Sequence, residues 1–182
     1  FLSVEAASPA EDLATALNVP GAVANEWLDV LGIEEAAAFS QALNQRPAMH
    51  IRANLLKTTR LQLADLLKEE GVNTTEIPAV DTGLEVVGRA NLTQTEAFKE
   101  GLFEVQDASS QMLCAALPIV PGMRVLDLCA GAGGKSLAVA ALGGRVTATD
   151  IRSSALDELE KRAERAGAEI AIEEPEPAPI VL

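Results

Sequence analysis

Residues 125–136 read VLDLCAGAGGKS, an apolar strand that runs into a cluster of glycines and then into the start of a helix. Few folds accept that order. A strand followed at once by a tight turn and a helix must be covered on both faces. It predicts an α/β sheet of parallel strands, with any ligand lying at the carboxyl ends of those strands. A second strand, Arg145 to Thr149, ends on Asp150 and gives the turn a neighbour. Helix Ser153–Ala166 and strand Glu169–Ile172 extend the alternation.

Glycine at the end of a parallel strand lets the chain reverse sharply and leaves room for a ligand against bare backbone. Gly131 and Gly133 have the required spacing, and Gly134 and Lys135 follow at the positive end of the helix from Gly134 to Leu142. A lysine there is mildly repelled by the helix dipole, so a bound anion is one reason for it and a solvated surface position is the other. Two phosphate motifs compete for the same letters. A P-loop needs a glycine five places before Gly134, where Cys129 stands, so it fails. A dinucleotide fingerprint wants a third glycine where Ser136 stands, although Asp150 supplies its acid, and that reading survives weakly. Asp127, four residues before Gly131, fits the turn of an S-adenosylmethionine site, where such an acid orders the loop or meets the donor's amino group. Asp150 is then the ligand for two vicinal ribose hydroxyls, or else the N-cap of the helix near Ser153. Cys129 reads as a small packing residue rather than a nucleophile, Cys114 as a core residue, and His50 has no catalytic role.

The composition limits the partners. Of 182 residues, 48% are hydrophobic, enough for a globular core without metal or disulfide support. Aromatic residues make up 3%, with no tyrosine, so a surface that stacks nucleic-acid bases is poorly provided for. The formal charge of −13 opposes indiscriminate phosphate binding. Acids crowd residues 1–35 and 169–176, whereas Arg46, Arg52, Lys57 and Arg60 leave a local basic face. Two cysteines without metal-ligand spacing fit a reduced, cytoplasmic, metal-free protein, expected to be a monomer, with no membrane span and no leader. The start at Phe1 and the end in PIVL suggest a fragment.

Three regions follow from the periodicities. Residues 1–45 form an N-terminal helical region, with helices opened near Ser8–Pro9 and at Pro20, a break at Gly32 and a further helix to Leu43. Residues 46–106 form a small α+β unit: a strand in MHIRANLL, a helix capped at Thr58 or Thr59 and closed by Gly71, and extended pieces at 75–77 and 84–87. A helical turn from Thr93 to Lys99 and a strand at 102–105 complete it. Residues 107–182 form a partial Rossmann-type domain that opens with a helix capped by Asp107, and Ile180 to Leu182 looks like the start of another strand.

Three patches resemble one family, the Sun-type (Fmu-type) RNA cytosine-C5 methyltransferases, and within it the bacterial small-subunit ribosomal RNA methyltransferase B group. RPAMHIRANLLK at 46–57 is similar to its Arg-x-Asn-x-x-Lys strand, GLFEVQDASSQ at 101–111 to its Gly-x-Phe-x-Val-Gln-Asp signature, and residues 127–136 to its cofactor turn. The resemblance implies a helical region, an RNA-recognition-like (RRM-like) α+β subdomain and a Rossmann-type domain that binds S-adenosylmethionine. The expected donor contacts are Asp127, Cys129, Ala130, Gly131, Gly133, Gly134, Lys135 and Asp150. The expected RNA contacts are Arg52, Asn54, Lys57 and Arg60.

The likeness further implies a mechanism in which one cysteine attacks C6 of cytosine, C5 takes the methyl group, and a second cysteine assists elimination. Those cysteines stand in Asp-x-Pro-Cys and Thr-Cys motifs, expected beyond Leu182, so the chain as given is expected to be inactive. Gly131-Ala132 replaces the common Ala-Pro, Ala155 stands where relatives often carry arginine, and Glu173 and Glu174 are weak candidates to meet adenine. The alternatives are a non-catalytic RNA- or nucleotide-binding module and, behind it, an NAD-type dinucleotide-binding protein.

Overall fold

The computed structural model describes residues 14–15 and 19–173. The helix start expected at Ser8–Pro9, Glu174 and the strand start expected at Ile180 lie outside them. The chain separates into two units, residues 1–47 and 48–182.

In the first unit, helix α1 (Gly21–Leu43) is broken at Gly32, where φ is 76° and ψ 170°. The break lies at the glycine where the apolar spacing shifts. Ala24 and Ala36 are fully buried on its two sides, packed with Val19, Trp27, Leu28 and Leu31. Trp27 meets Phe39 edge to face at 5.0 Å.

The second unit holds two sheets. Strand β1 (Met49–Ala53), helix α2 (Arg60–Glu69), strands β2 (Thr74–Glu76) and β3 (Gly83–Val86), helix α3 (Glu96–Lys99) and strand β4 (Phe103–Val105) follow a β-α-β-β-α-β order. The sheet runs β2-β3-β1-β4 and is antiparallel throughout, with Ile51 opposite both Leu84 and Val105. This is the ferredoxin-like arrangement. Ile51, Ala53, Leu63, Leu67, Leu84 and Phe103 form its core, from one sheet face and the apolar sides of the helices.

Thr59 caps α2. Its hydroxyl accepts from the Gln62 amide at 3.3 Å, and the Gln62 side chain accepts from the Thr59 amide at 3.1 Å. Thr59→Ala is expected to cost about 1 kcal/mol and to lower the melting temperature by about 2–4 °C, read by thermal unfolding. The short helix expected from Thr93 starts later. A 3₁₀ turn occupies Leu92–Gln94, and Thr95 is the cap of α3, its hydroxyl accepting from Phe98 N.

Helix α4 (Ala108–Ala115), capped by Asp107, leads to strand β5 (Arg124–Asp127), helix α5 (Gly134–Ala141), strand β6 (Arg145–Ala148), helix α6 (Ser153–Ala166) and strand β7 (Ile170–Ile172). The strands are parallel in the order β5-β6-β7, with Val146 paired to both Val125 and Ile170. Leu137, Val139, Val146, Ala148, Leu159 and Ala163 form this core. The fold is thus α/β, a partial Rossmann-like sheet beside a small α+β sheet, as the strand and helix alternation predicts. Among the described residues β5 is an outer strand, and Leu126 and Leu128 on its rim are 58% and 66% exposed.

Although the sequence pattern separates the two sheets at residue 106, side chains tie them together. Asn54 donates from its amide to Gly101 O and Ala166 O, both at 2.8 Å, and Lys57 Nζ donates to Glu100 O and Arg165 O.

Candidate cofactor-binding site

The parallel pairing brings the two acids to one end of the sheet. Asp127 closes β5 opposite Ala148, and Asp150 follows two residues beyond that partner. Between them the turn is held by its own backbone: Ala130 N donates to Thr149 O, and Gly133 N to Ala130 O. Gly131 and Gly133 have φ of 54° and 81°. At Gly133 a Cβ would lie 2.5 Å from Leu159 Cγ, so helix α6 packs against bare backbone there. At Gly131 only the far end of Arg152 comes within 4 Å, which leaves that face of the peptide open to a ligand that can move a flexible side chain.

Asp150 is buried and ties the turn to the second strand. Its Oδ2 accepts from Gly131 N at 2.8 Å, and its Oδ1 accepts from Arg152 N at 3.0 Å and Arg152 Nε at 3.1 Å. The Arg152 side chain, then its amide and that of Gly131, pull the carboxyl down to about 2 from an ordinary 3.8. A carboxyl that titrates lower in the folded state stabilises the fold fully above its unfolded value, and that contribution is lost as pH falls toward its folded value. The turn is therefore expected to keep its amide protection unchanged from pH 8 to 5 and to loosen only below about pH 4, as hydrogen exchange at Gly131 would show. Asp150 is not the helix N-cap. That position falls to Arg152, which makes no capping side-chain bond.

Asp127 accepts from the Ser136 hydroxyl at 2.7 Å. Ser136, the residue that spoils a dinucleotide fingerprint, is buried and orients the first acid. Ala130 is partly buried against the parallel-sheet core, Gly134 opens α5, and Lys135 is exposed in the helix's first turn. Cys129 is exposed rather than packed, because β5 has no described neighbour on that side. Cys114 is buried, and burial pushes its thiol up, away from nucleophile character. Among the described residues no group of three or more His, Cys, Asp or Glu could hold a metal, and no helix is long and apolar enough to cross a membrane.

The four residues expected to meet RNA all bond within the fold, Arg52 and Asn54 from buried positions and Lys57 from an exposed one. Arg52 is 5% exposed and donates from Nε to Gln106 Oε1 at 2.7 Å; burial lowers its basicity, with Glu104 opposing. Asn54 is buried and Lys57 bridges two carbonyls, as described above. Arg60 donates to Val80 O at 3.2 Å and pairs with Glu76 at 2.9 Å. Arg52 is buried because the carboxyl end of β1 is covered on both faces, Ile51 toward the small core and Arg52 away from it, whereas Lys57 and Arg60 lie beyond the strand and keep some exposure.

Sequence reasoning also missed Arg152, Glu104 and Arg162. Glu104 is 2% exposed and is paired with both Arg162 and Arg165. A glutamate between Phe103 and Val105, and an arginine on the stripe of Leu159, Ala163 and Ala166, were the available signals.

A parallel sheet with a glycine turn between two strand-end acids, beside a ferredoxin-like unit, has the α/β fold of the methyltransferase class. Residues 19–93 match the model of the RsmF/B-like methyltransferase ferredoxin-like domain. The chain is 35% identical over 125 residues to "Probable ribosomal RNA small subunit methyltransferase B" of Synechocystis sp., covering 65% of this chain and 28% of that one. It is 29% identical over 162 residues to the Bacillus subtilis protein of the same name, covering 87% and 36%. A methyltransferase homolog protein from Pyrococcus horikoshii superposes with a TM-score of 0.79 at 26% identity, covering 90% of this chain and 54% of that one. The chain is similar to these methyltransferases in sequence and fold, and it spans about a third of the length of the curated relatives it matches.

Proposed function

We propose that this chain carries the S-adenosylmethionine half-site of an RNA cytosine-C5 methyltransferase whose substrate is ribosomal RNA, a role that places it in the cytoplasm. The observation that carries the reading is the Asp150 carboxylate bonded to Gly131 N at 2.8 Å, an acid from one strand end joined to the glycine turn of the next. The residues present fit the donor: an open peptide face at Gly131, a buried ionised acid beside it, a second acid at Asp127 and an exposed lysine at a helix start. When bound, S-adenosylmethionine supplies an electrophilic methyl group.

In this reading Asp150 accepts from the ribose hydroxyls once the Arg152 side chain swings aside. Asp127, steered by Ser136, meets the amino group, and Lys135 with the first amides of α5 meets the carboxylate. Neither cysteine is placed as the nucleophile that cytosine-C5 chemistry needs. Cys114 is buried with a raised thiol, and Cys129 lies in the turn itself. The ribosomal substrate is carried over from the relatives' names.

Titration calorimetry of the purified protein with S-adenosylhomocysteine is expected to show one site per chain, and NAD none. Labelled methyl transfer to ribosomal RNA is expected to be undetectable with these 182 residues alone. Binding of NAD without S-adenosylhomocysteine would overturn the reading in favour of a dinucleotide-binding protein.

A further inference from the structure

The glycine turn is braced from behind by two ladders of side chains that both begin in the small antiparallel sheet. In the first, Arg162 Nη1 donates to Ala132 O at 2.7 Å, inside the turn, while its Nε and Nη2 donate to Glu104 Oε2 at 3.0 and 2.7 Å. Glu104 Oε1 accepts from Arg165 Nη2 at 2.7 Å, which completes an Arg–Glu–Arg triad in which the glutamate is buried and the two arginines are half-buried. In the second, Arg52 Nε donates to Gln106 Oε1, and Gln106 Nε2 donates to Gly134 O at 3.1 Å. A third bond, from Gln111 Nε2 to Gln106 O at 2.8 Å, fixes the Gln106 backbone.

Because a peptide unit is planar, a bond to Gly134 O sets the direction of the Lys135 N–H, one of the unpaired donors at the start of α5. A bond to Ala132 O sets the plane that enters Gly133 in the same way. Stability alone does not call for the triad, since apolar side chains of similar volume often stabilise a buried site as well or better. Apolar side chains cannot hold the Ala132 carbonyl.

We infer that Glu104 and Arg162 are positioning residues for the cofactor turn, so that the ferredoxin-like unit is a working part of the donor site. This rests on the proposed use of the turn for S-adenosylmethionine.

The test compares S-adenosylhomocysteine affinity and thermal unfolding for the parent, Arg162→Lys, Arg165→Lys and a triple variant, Glu104→Leu with Arg162→Met and Arg165→Met. A lysine at 162 keeps the charge but cannot reach Glu104 and Ala132 O together. Arg162→Lys is expected to weaken binding about tenfold, whereas Arg165→Lys, which touches Glu104 but not the turn, stays within about twofold. The triple variant is expected to melt at or above the parent temperature and still to bind at least about tenfold more weakly. That separation of affinity from stability is what a merely structural triad would not produce. Either variant suffices if the other does not fold. A folded Arg162→Lys or triple variant that binds like the parent overturns the inference and leaves the donor reading intact. A parent that does not bind S-adenosylhomocysteine overturns both.

Discussion

Gly101→Ala is expected to be the most damaging single-methyl change in the protein, lowering stability by about 4 kcal/mol or more and the melting temperature by about 10 °C, if the chain folds at all. Gly101 has φ of +69°, where a side chain is strained, and a Cβ built there would lie 2.0 Å from Arg165 O and 2.7 Å from the Arg165 carbonyl carbon. The obstacle is backbone, so no rotamer change relieves it. The end of α6 would have to move away from the loop before β4. That movement breaks the Asn54 bonds that join Gly101 O to Ala166 O and the Lys57 bonds that join Glu100 O to Arg165 O. Each loss leaves a polar group poorly satisfied at about 1–3 kcal/mol. Thermal unfolding followed by circular dichroism reads the result, and a variant melting within about 2 °C of the parent would show that the junction is softer than it looks.

Asp150→Ala is expected to weaken S-adenosylhomocysteine binding about a hundredfold or more. Two charge-assisted bonds to ribose hydroxyls are lost, each worth about 1.5–3 kcal/mol. The Gly131 amide also loses its acceptor, so the turn is freed at the moment it is needed. Asp150→Asn keeps the size and one acceptor oxygen and is expected to fall between, at about tenfold. Calorimetry on both variants separates the contribution of charge from that of shape. Binding by Asp150→Ala within about threefold of the parent would remove Asp150 from the site.

Much of this architecture is written in local signals. Thr59 with Gln62 announces a helix start, Gly32 a break, and Asp107 a cap, because each acts on the backbone of its immediate neighbours. The turn and Asp150 are legible for a related reason: strands of a parallel sheet bring their carboxyl ends together whatever covers them. What could not be read was the partner of each charge. Arg52 and Asn54 look like basic and polar decorations of a strand until a second layer is seen to bury them. Glu104 and Arg162 are 58 residues apart, and although each sits on an apolar face, nothing local names the other as its partner. Thr93 and Thr95 are equally good caps by type; the choice falls to Thr95 because the 3₁₀ turn uses up the preceding residues, while Thr93 Oγ1 donates to Asn91 Oδ1.

Among the described residues β5 has a strand neighbour on one side only, and this bears on handling the protein. Leucines at 126 and 128 stand 58% and 66% exposed along that side, an apolar rim on which another extended peptide can zip. If self-association at high concentration runs through this strand, Leu128→Lys is expected to reduce it, as light scattering would read.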